Sequence, residues 1–361
     1  MSPPNPTAIP VTLLTGFLGS GKTTLLNALL RDPAMAGCAV LINEVGEVGL
    51  DHLLVEKVSE EIVLLESGCL CCTVRGDLSR SLKDLFMRRL RREIKQLDRV
   101  VIETTGLADP GPVIYTLMHD FFVAERYRLD GVVSTVDARH VHWQLGQHEE
   151  AVRQVAMADR VVLTKCDLAS EDEVEAAEEK VHALNPAARV LKSRLGDLLA
   201  GGPAGLLEGM SLYDPATKTA DVARWLNEAA ADEQERLQRR RNVFGQAVPP
   251  TLRHDERVRT HVLRFNRPFR WVEFTTALEL LQRGVGERIM RIKGLVNVEG
   301  EDTPRVIHAV QHERYPESAL PAWPDADRST RLVFIVRDLP RESLERAFAA
   351  FGDYQAEPVG D

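Results

Sequence analysis

The chain has 361 residues, 44% of them hydrophobic and 27% charged, with a formal net charge of −9. Such a composition suits a globular protein long enough for two domains, and the acidic balance argues against a general nucleic-acid binder. No apolar run reaches the roughly 18 residues that a membrane span needs, and the opening MSPPNPTAIP lacks the basic and apolar regions of a secretory signal.

A cytoplasmic placement follows as the expectation, with neither membrane nor nucleic acid among the partners and the homo-oligomeric state open. In that compartment thiols stay reduced, so a cysteine cluster points to metal binding or catalysis rather than to a structural disulfide.

From Ile9 to about Lys192, short β-branched runs alternate with amphipathic stretches, which predicts a mainly parallel sheet covered by helices. The expected strands are IPVTLLT, CAVLIN, EIVLLE, RVVIETT, LDGVVSTVD, ADRVVLTK and ARVLKS, with helices at 22–32, 77–95, 111–120, 145–156 and 171–184. Several strands are apolar at nearly every position, as burial on both faces requires. Residues 211–257 have linker composition, with one exposed helix expected at 220–240. Beyond them, strands THVLRFN, IMRIKGLVNVEG, PRVIHAVQHE and TRLVFIVRD, with helices at 271–285 and 341–351, predict a small α+β sandwich. The expected organisation is a frayed tail at 1–8, a first domain at 9–210, the linker at 211–257 and a second domain at 258–361.

The strongest chemical signal is GFLGSGKTT, Gly16 to Thr24, a G-x-x-x-x-G-K-[ST] motif between a predicted strand and a predicted helix. Gly16, Gly19, Ser20, Gly21, Lys22, Thr23 and Thr24 are its candidate phosphate-binding residues, the glycines letting backbone N–H groups curl around phosphate oxygens. Lys22 would reach the β- and γ-phosphates, and Thr23 would hold Mg²⁺. The plainer reading is a glycine-rich turn.

Thr164-Lys165-x-Asp167 ends another buried strand and resembles the guanine-reading motif of GTPases. An ionised Asp167 accepts two hydrogen bonds, matching the N1–H and exocyclic amine of guanine, a donor pair that adenine does not offer. Between the two motifs, RVVIETTGLADP carries Glu103-x-x-Gly106, where Glu103 would support Mg²⁺ or orient the attacking water and Gly106 would let a switch segment swing. NEVGEVGLD follows a further strand and offers Glu44, Glu47 and Asp51, Asp51 reading best as a solvated acid.

Taken in order, LLTGFLGSGKTTLLN, NEVGEVGLD, GCLCC, ETTGLADP, DGVVSTVDA and ADRVVLTKCDL resemble the CobW-like family of metal-handling GTPases, relatives of UreG and HypB. RIKGLVNVEG and IHAVQHERY are similar to that family's second domain. The resemblance implies a P-loop NTPase domain followed by a CobW-type C-terminal domain. It further implies GTP/GDP and Mg²⁺ as ligands, and binding of zinc or cobalt for delivery to a client metalloprotein.

Cys69, Cys71 and Cys72 match the family's Cys-x-Cys-Cys motif, and thiolates are soft ligands that suit zinc. Three thiols leave at least one coordination position for Glu44, Glu47, water or a partner's ligand. In an extended backbone Cys69 and Cys71 face one way and Cys72 the other, so a shared ion requires a bend. Two rival readings stay open: cysteines packed as small hydrophobes, and a redox-sensing pair. Cys38 and Cys166 read as packing residues.

The chain departs from the family at Ile42, where many relatives carry an acid, and its ten histidines are scattered, with His140/His142 and His308/His312 the nearest pairs. No clear arginine finger stands out, Arg75 being the nearest candidate, so slow intrinsic turnover is expected. The competing function is a GTPase that regulates assembly of a partner, its cysteines structural or redox-sensing.

Overall fold

The computed structural model describes residues 8–43, 63–67, 70–193, 206–207 and 257–357, with backbone alone at 43, 63–67 and 70–75. The chain divides into two compact units, the stretch His182–Ala188 grouping with the C-terminal one.

The first unit is built on seven parallel strands: β1 (Ile9–Gly16), β2 (Cys38–Asn43), β3 (Val63–Ser67), β4 (Arg99–Glu103), β5 (Tyr127–Asp137), β6 (Arg160–Thr164) and β7 (Arg189–Lys192). Their order is β3-β2-β4-β1-β5-β6-β7. Every residue of β6 is buried, as is every residue of β5 but one, while the edge strand β7 is exposed or half-exposed throughout. Such central strands are buried along their length because helices cover both faces.

From β1 the chain crosses to β2 on one side, whereas β5 leads to β6 on the other. The crevice between β1 and β5 is therefore a topological switch point, where connections diverge beyond the carboxyl ends of the strands.

The helices are α1 (Lys22–Leu30), α2 (Leu70–Leu90), α3 (Gly111–His119), α4 (Phe121–Arg126), α5 (Val141–Gln147), α6 (Glu149–Met157) and α7 (Glu171–Leu184). On α1, Leu25, Leu26, Leu29 and Leu30 pack with Leu14, Val40, Val101, Val133 and Val162.

Three of these elements differ from the sequence expectation. α2 runs from Leu70 to Leu90 rather than 77–95: Leu70 and Val74 carry the four-residue spacing of the buried Leu78 and Leu82 back to the helix start, a signal that the expected boundary passes over. The single helix expected at 145–156 is two helices broken at His148, whose backbone is extended (φ −124°, ψ 114°), with Glu149 and Glu150 starting the second. α4 is an addition to the expected set, although its signal is local: the Asp120 carboxylate accepts from the N–H groups of Phe122 and Val123.

The second unit holds a sheet ordered β11-β10-β9-β13-β8, with β12 on β10. Its strands are β8 (Val258–Phe265), β9 (Ile289–Val296), β10 (Arg305–Val310), β11 (Glu313–Arg314), β12 (Ser318–Ala319) and β13 (Thr330–Arg337), all antiparallel. Helices α8 (Trp271–Val285) and α9 (Arg341–Ala349) contribute Phe274 and Phe348 to a core shared with Phe265, Phe269, Phe334 and Tyr354.

The strand expected through PRVIHAVQHE is interrupted by a tight turn: Val310 pairs with Glu313, and Gln311 takes a φ of 51°. A β-carbon at Gly286 would meet the His312 ring at 2.3 Å, so glycine makes room for that histidine. Among the described residues, no helix is long and apolar enough to cross a membrane. The linker helix expected at 220–240 lies outside the described residues.

Candidate nucleotide site

The loop from Gly16 to Gly21 carries the chain from β1 into α1 at the switch point. Gly16, Gly19 and Gly21 have φ values of 141°, 68° and 91°. At Gly16 a β-carbon would lie 2.3 Å from Thr135 Oγ1 and 2.5 Å from the Thr135 carbonyl oxygen, so no other residue fits. No side chain caps α1 and no acid stands in its first turn. Its N-terminal N–H groups and positive dipole end therefore remain directed at the loop, the requirement for a phosphate cradle.

Hydroxyls hold that loop to three strands. Ser20 Oγ and Thr135 Oγ1 are 2.6 Å apart, Thr135 Oγ1 donates to the Thr15 carbonyl (3.4 Å), and Thr164 Oγ1 donates to the Ser20 carbonyl (2.7 Å). The Lys22 ammonium donates to the carbonyls of Gly16 (3.0 Å) and Phe17 (3.2 Å), folding its buried side chain back along the loop. Thr24 is exposed.

Thr23 Oγ1 donates to Glu103 Oε1 at 3.0 Å, and Glu103 is buried. This is a hard, all-oxygen donor pair beside a phosphate loop, the chemistry that fits Mg²⁺ rather than a soft metal. Gly106 packs on the same loop, since a β-carbon there would lie 2.7 Å from the Leu18 nitrogen. The fold thus brings Lys22, Thr23, Glu103 and Gly106 together around the Gly16–Gly21 loop.

The Thr-Lys-x-Asp motif caps β6, with Asp167 exposed and Lys165 half-buried in a left-handed conformation (φ 57°). Lys165 pairs with an acid that lies in the DGVVSTVDA stretch but to which the sequence reading gives no role of its own. Asp137 ends β5, accepts from the Lys165 ammonium at 2.7 Å and the Arg139 backbone N–H at 3.0 Å, and its Oδ2 lies 2.9 Å from His140 Nδ1. Its signal in the sequence is an acid closing a buried strand, as at Glu103.

Burial pushes the Asp137 carboxyl up, but Lys165, His140 and the Arg139 N–H outweigh it and hold the group below its ordinary value. A depressed carboxyl stabilises the fold fully above its unfolded pKa of about 4, and that contribution fades as pH falls through the lower folded value. Asp137→Asn is expected to cost about 1–3 kcal/mol at pH 7, allowing for solvent screening at Lys165, and less near pH 3. Urea titrations at both pH values check this, and an equal loss at each would rule out the carboxylate as the source.

Two further contacts escape sequence reasoning. Arg153 of α6 pairs with Asp109, and Gln154 Nε2 donates to the carbonyls of Gly106 (3.1 Å) and Ala108 (3.0 Å). Nothing in the sequence marks either residue, because the partners lie more than forty positions away.

Cys38 and Cys166 are buried free thiols, as expected of packing residues, and burial pushes the Cys38 thiol up to about 12. Glu44, Glu47, Asp51 and Cys69 lie outside the described residues. Cys71 and Cys72 occupy the first turn of α2, where successive positions are about 100° apart around the axis rather than on opposite faces as in an extended backbone. Arg75 follows on the same helix, described by its backbone alone. Among the described residues, no cluster of three His, Cys, Asp or Glu is placed to hold a metal ion.

A glycine loop at the switch point of a parallel sheet, a lysine and a Thr/Glu pair beside it, and Thr-Lys-x-Asp at the end of a neighbouring strand define a P-loop GTPase.

Two family models match the chain: "CobW/HypB/UreG, nucleotide-binding domain" over residues 10–192, and "Cobalamin synthesis protein cobW C-terminal domain" over 258–352. The protein belongs to the CobW/HypB/UreG family. It is 34% identical to the zinc chaperone YjiA of Escherichia coli, over 94% of this chain and 98% of that one. It is 29% identical to the zinc-regulated GTPase metalloprotein activator 1 of Schizosaccharomyces pombe, over 93% of this chain and 84% of the relative. The crystal structure of Zn(II)-bound YjiA GTPase superposes with a TM-score of 0.67 and 28% identity, covering 98% of this chain and 100% of that one.

Proposed function

We propose that this protein is a GTP-dependent metallochaperone that binds zinc, with cobalt as the alternative, at the Cys69–Cys72 stretch and delivers it to a client metalloprotein. The observation that carries this reading is the register at one edge of the parallel sheet. Ile42 pairs with Glu103 on one side and with Glu66 on the other. Neighbouring strands are about 4.8 Å apart, so the backbones of Glu66 and Glu103 are separated by roughly 10 Å. The strand leading to the cysteines, the strand leading to Glu44 and Glu47, and the strand ending in Glu103 thus finish side by side.

In hydrolysis, backbone N–H groups of Gly16 to Thr23 hold the phosphates and Lys22 neutralises charge that develops between the β- and γ-groups. Thr23 and Glu103 would hold Mg²⁺, which supplies charge neutralisation at the phosphate oxygens when bound. Asp167 accepts from the guanine edge, and Asp137 fixes Lys165 alongside it. Zinc is the favoured cargo because thiolates suit it and because two relatives similar over most of their length are named for zinc.

The test is a zinc-competition titration of the reduced protein in apo, GDP and non-hydrolysable GTP forms, beside a variant with Cys69, Cys71 and Cys72 changed to Ser. A structure of YjiA with one glutamate and two cysteines replaced by alanine is also Zn(II)-bound, so affinity rather than mere occupancy is the quantity to read. Nucleotide is expected to change zinc affinity by roughly 5- to 150-fold, the span of a typical coupling, and the variant to lose that dependence. Equal affinity in every form would leave the partner-regulating GTPase as the better account.

A further inference from the structure

We infer that Gln154 is a positioning residue for hydrolysis, latching the Gly106–Ala108 segment, and that a single buried water joins it to Ser134 behind the phosphate loop. The inference rests on the GTPase reading above for its kinetic consequence, though not for its geometry.

Gln154 is completely buried on α6, and its amide nitrogen spans two carbonyls of the segment that follows Glu103. With the nitrogen committed there, Oε1 turns the other way, buried and without a hydrogen-bond partner in the protein. The Gln154 side chain lines a cavity of about 10 Å³ together with Phe17 of the phosphate loop and Ser134 of β5, among others. Ser134 Oγ is also buried and lacks a partner.

A cavity of that size accommodates about one water, and burying two polar oxygens unsatisfied costs more than ordering it. The water would donate to Gln154 Oε1 and exchange a hydrogen bond with the Ser134 hydroxyl.

One helix thereby braces both phosphate-facing segments. At its start, the His148 ring stacks on Phe17 with centroids 4.5 Å apart. Further along, Arg153 pairs with Asp109 and Gln154 holds Gly106 and Ala108. Gly106 in turn touches Leu18, so its carbonyl anchor sets where the segment lies against the loop. Since a displacement of about 1 Å near reacting atoms can cost a hundredfold in rate, such a latch acts on turnover more than on ground-state nucleotide binding.

The experiment compares wild-type protein with Gln154→Met, which keeps bulk but has no donor, with Ser134→Ala, and with the surface-lying Arg153→Ala. Single-turnover GTP hydrolysis, GDP affinity and hydrogen exchange of the amides at 104–109 are read for each. Gln154→Met is expected to slow hydrolysis about tenfold, to leave GDP affinity within about twofold, and to speed exchange at 104–109 while β1 keeps its protection. Ser134→Ala should follow the same pattern at smaller amplitude, and no change in it would refute the water.

A general packing defect would instead weaken GDP binding and speed exchange in β1 as well, which overturns the inference. So would unchanged rate and exchange in Gln154→Met. Arg153→Ala, which leaves both Gln154 bonds in place, should change exchange at 104–109 less than Gln154→Met, and an equal or larger change would move the latch to the ion pair. Should Gln154→Met not fold, Gln154→Leu takes its place, and unchanged exchange at 104–109 in it refutes the latch. If the wild-type protein hydrolyses no GTP, the GTPase reading fails, while the exchange arm still decides the latch.

Discussion

Lys22→Ala is expected to slow GTP hydrolysis by about a thousandfold while the protein stays folded. The magnitude is that of removing one preorganised electrostatic contact to a developing charge, typically 10²- to 10³-fold, taken at its upper end because a full cation is lost. The structural loss is smaller. The ammonium donates to two carbonyls of its own loop, Gly16 and Phe17, and each such bond contributes about 1 kcal/mol net. Hydrolysis under single-turnover conditions, beside thermal unfolding of the same sample, separates the two effects. A variant that retains turnover within tenfold of wild type would show that the lysine does not meet the phosphates.

The second large effect belongs to the base. Asp167→Asn should weaken GTP binding by roughly 10²- to 10⁴-fold, the loss of two charge-assisted hydrogen bonds of about 1.5–3 kcal/mol each. It should also improve binding of xanthosine nucleotides, whose C2 carbonyl accepts where guanine donates and so pairs with the new amide N–H. Competition against a fluorescent nucleotide measures both. Tighter ATP binding than GTP binding in the wild-type protein would contradict the assignment at once. Asp167 is exposed, so the substitution carries little packing cost and the readout is chemical.

Much of this site is legible in the amino-acid sequence. The phosphate loop is written in contiguous residues because its requirements are local: glycines at positive φ, an uncapped helix start, a lysine and a hydroxyl at fixed offsets. Thr164, Lys165 and Asp167 are legible for the same reason, as three positions on one strand end. The all-parallel sheet shows in runs such as Val161–Leu163 of β6 and Val100–Ile102 of β4, where consecutive rather than alternate positions are apolar, as burial on both faces requires. Helix boundaries are less plain. Leu70 and Val74 extend the spacing of Leu78 back across the cysteines, where the cluster draws the reading to its chemistry instead, and His148 interrupts a pattern that otherwise reads as continuous.

Local chemistry, then, is enough for the phosphate loop and for the roles proposed for Thr23 and Asp167. It does not say which strand lies beside which, because pairing depends on the whole sheet: β4 inserts between β1 and β2, and only that insertion brings Glu103 to Thr23 and Ile42 to Glu103. Asp137 under Lys165 and Gln154 under Gly106 come from the same cause. Each is an ordinary polar residue in its own stretch of chain, and it acquires a role only when folding buries it against a backbone carbonyl or a cation from a distant stretch.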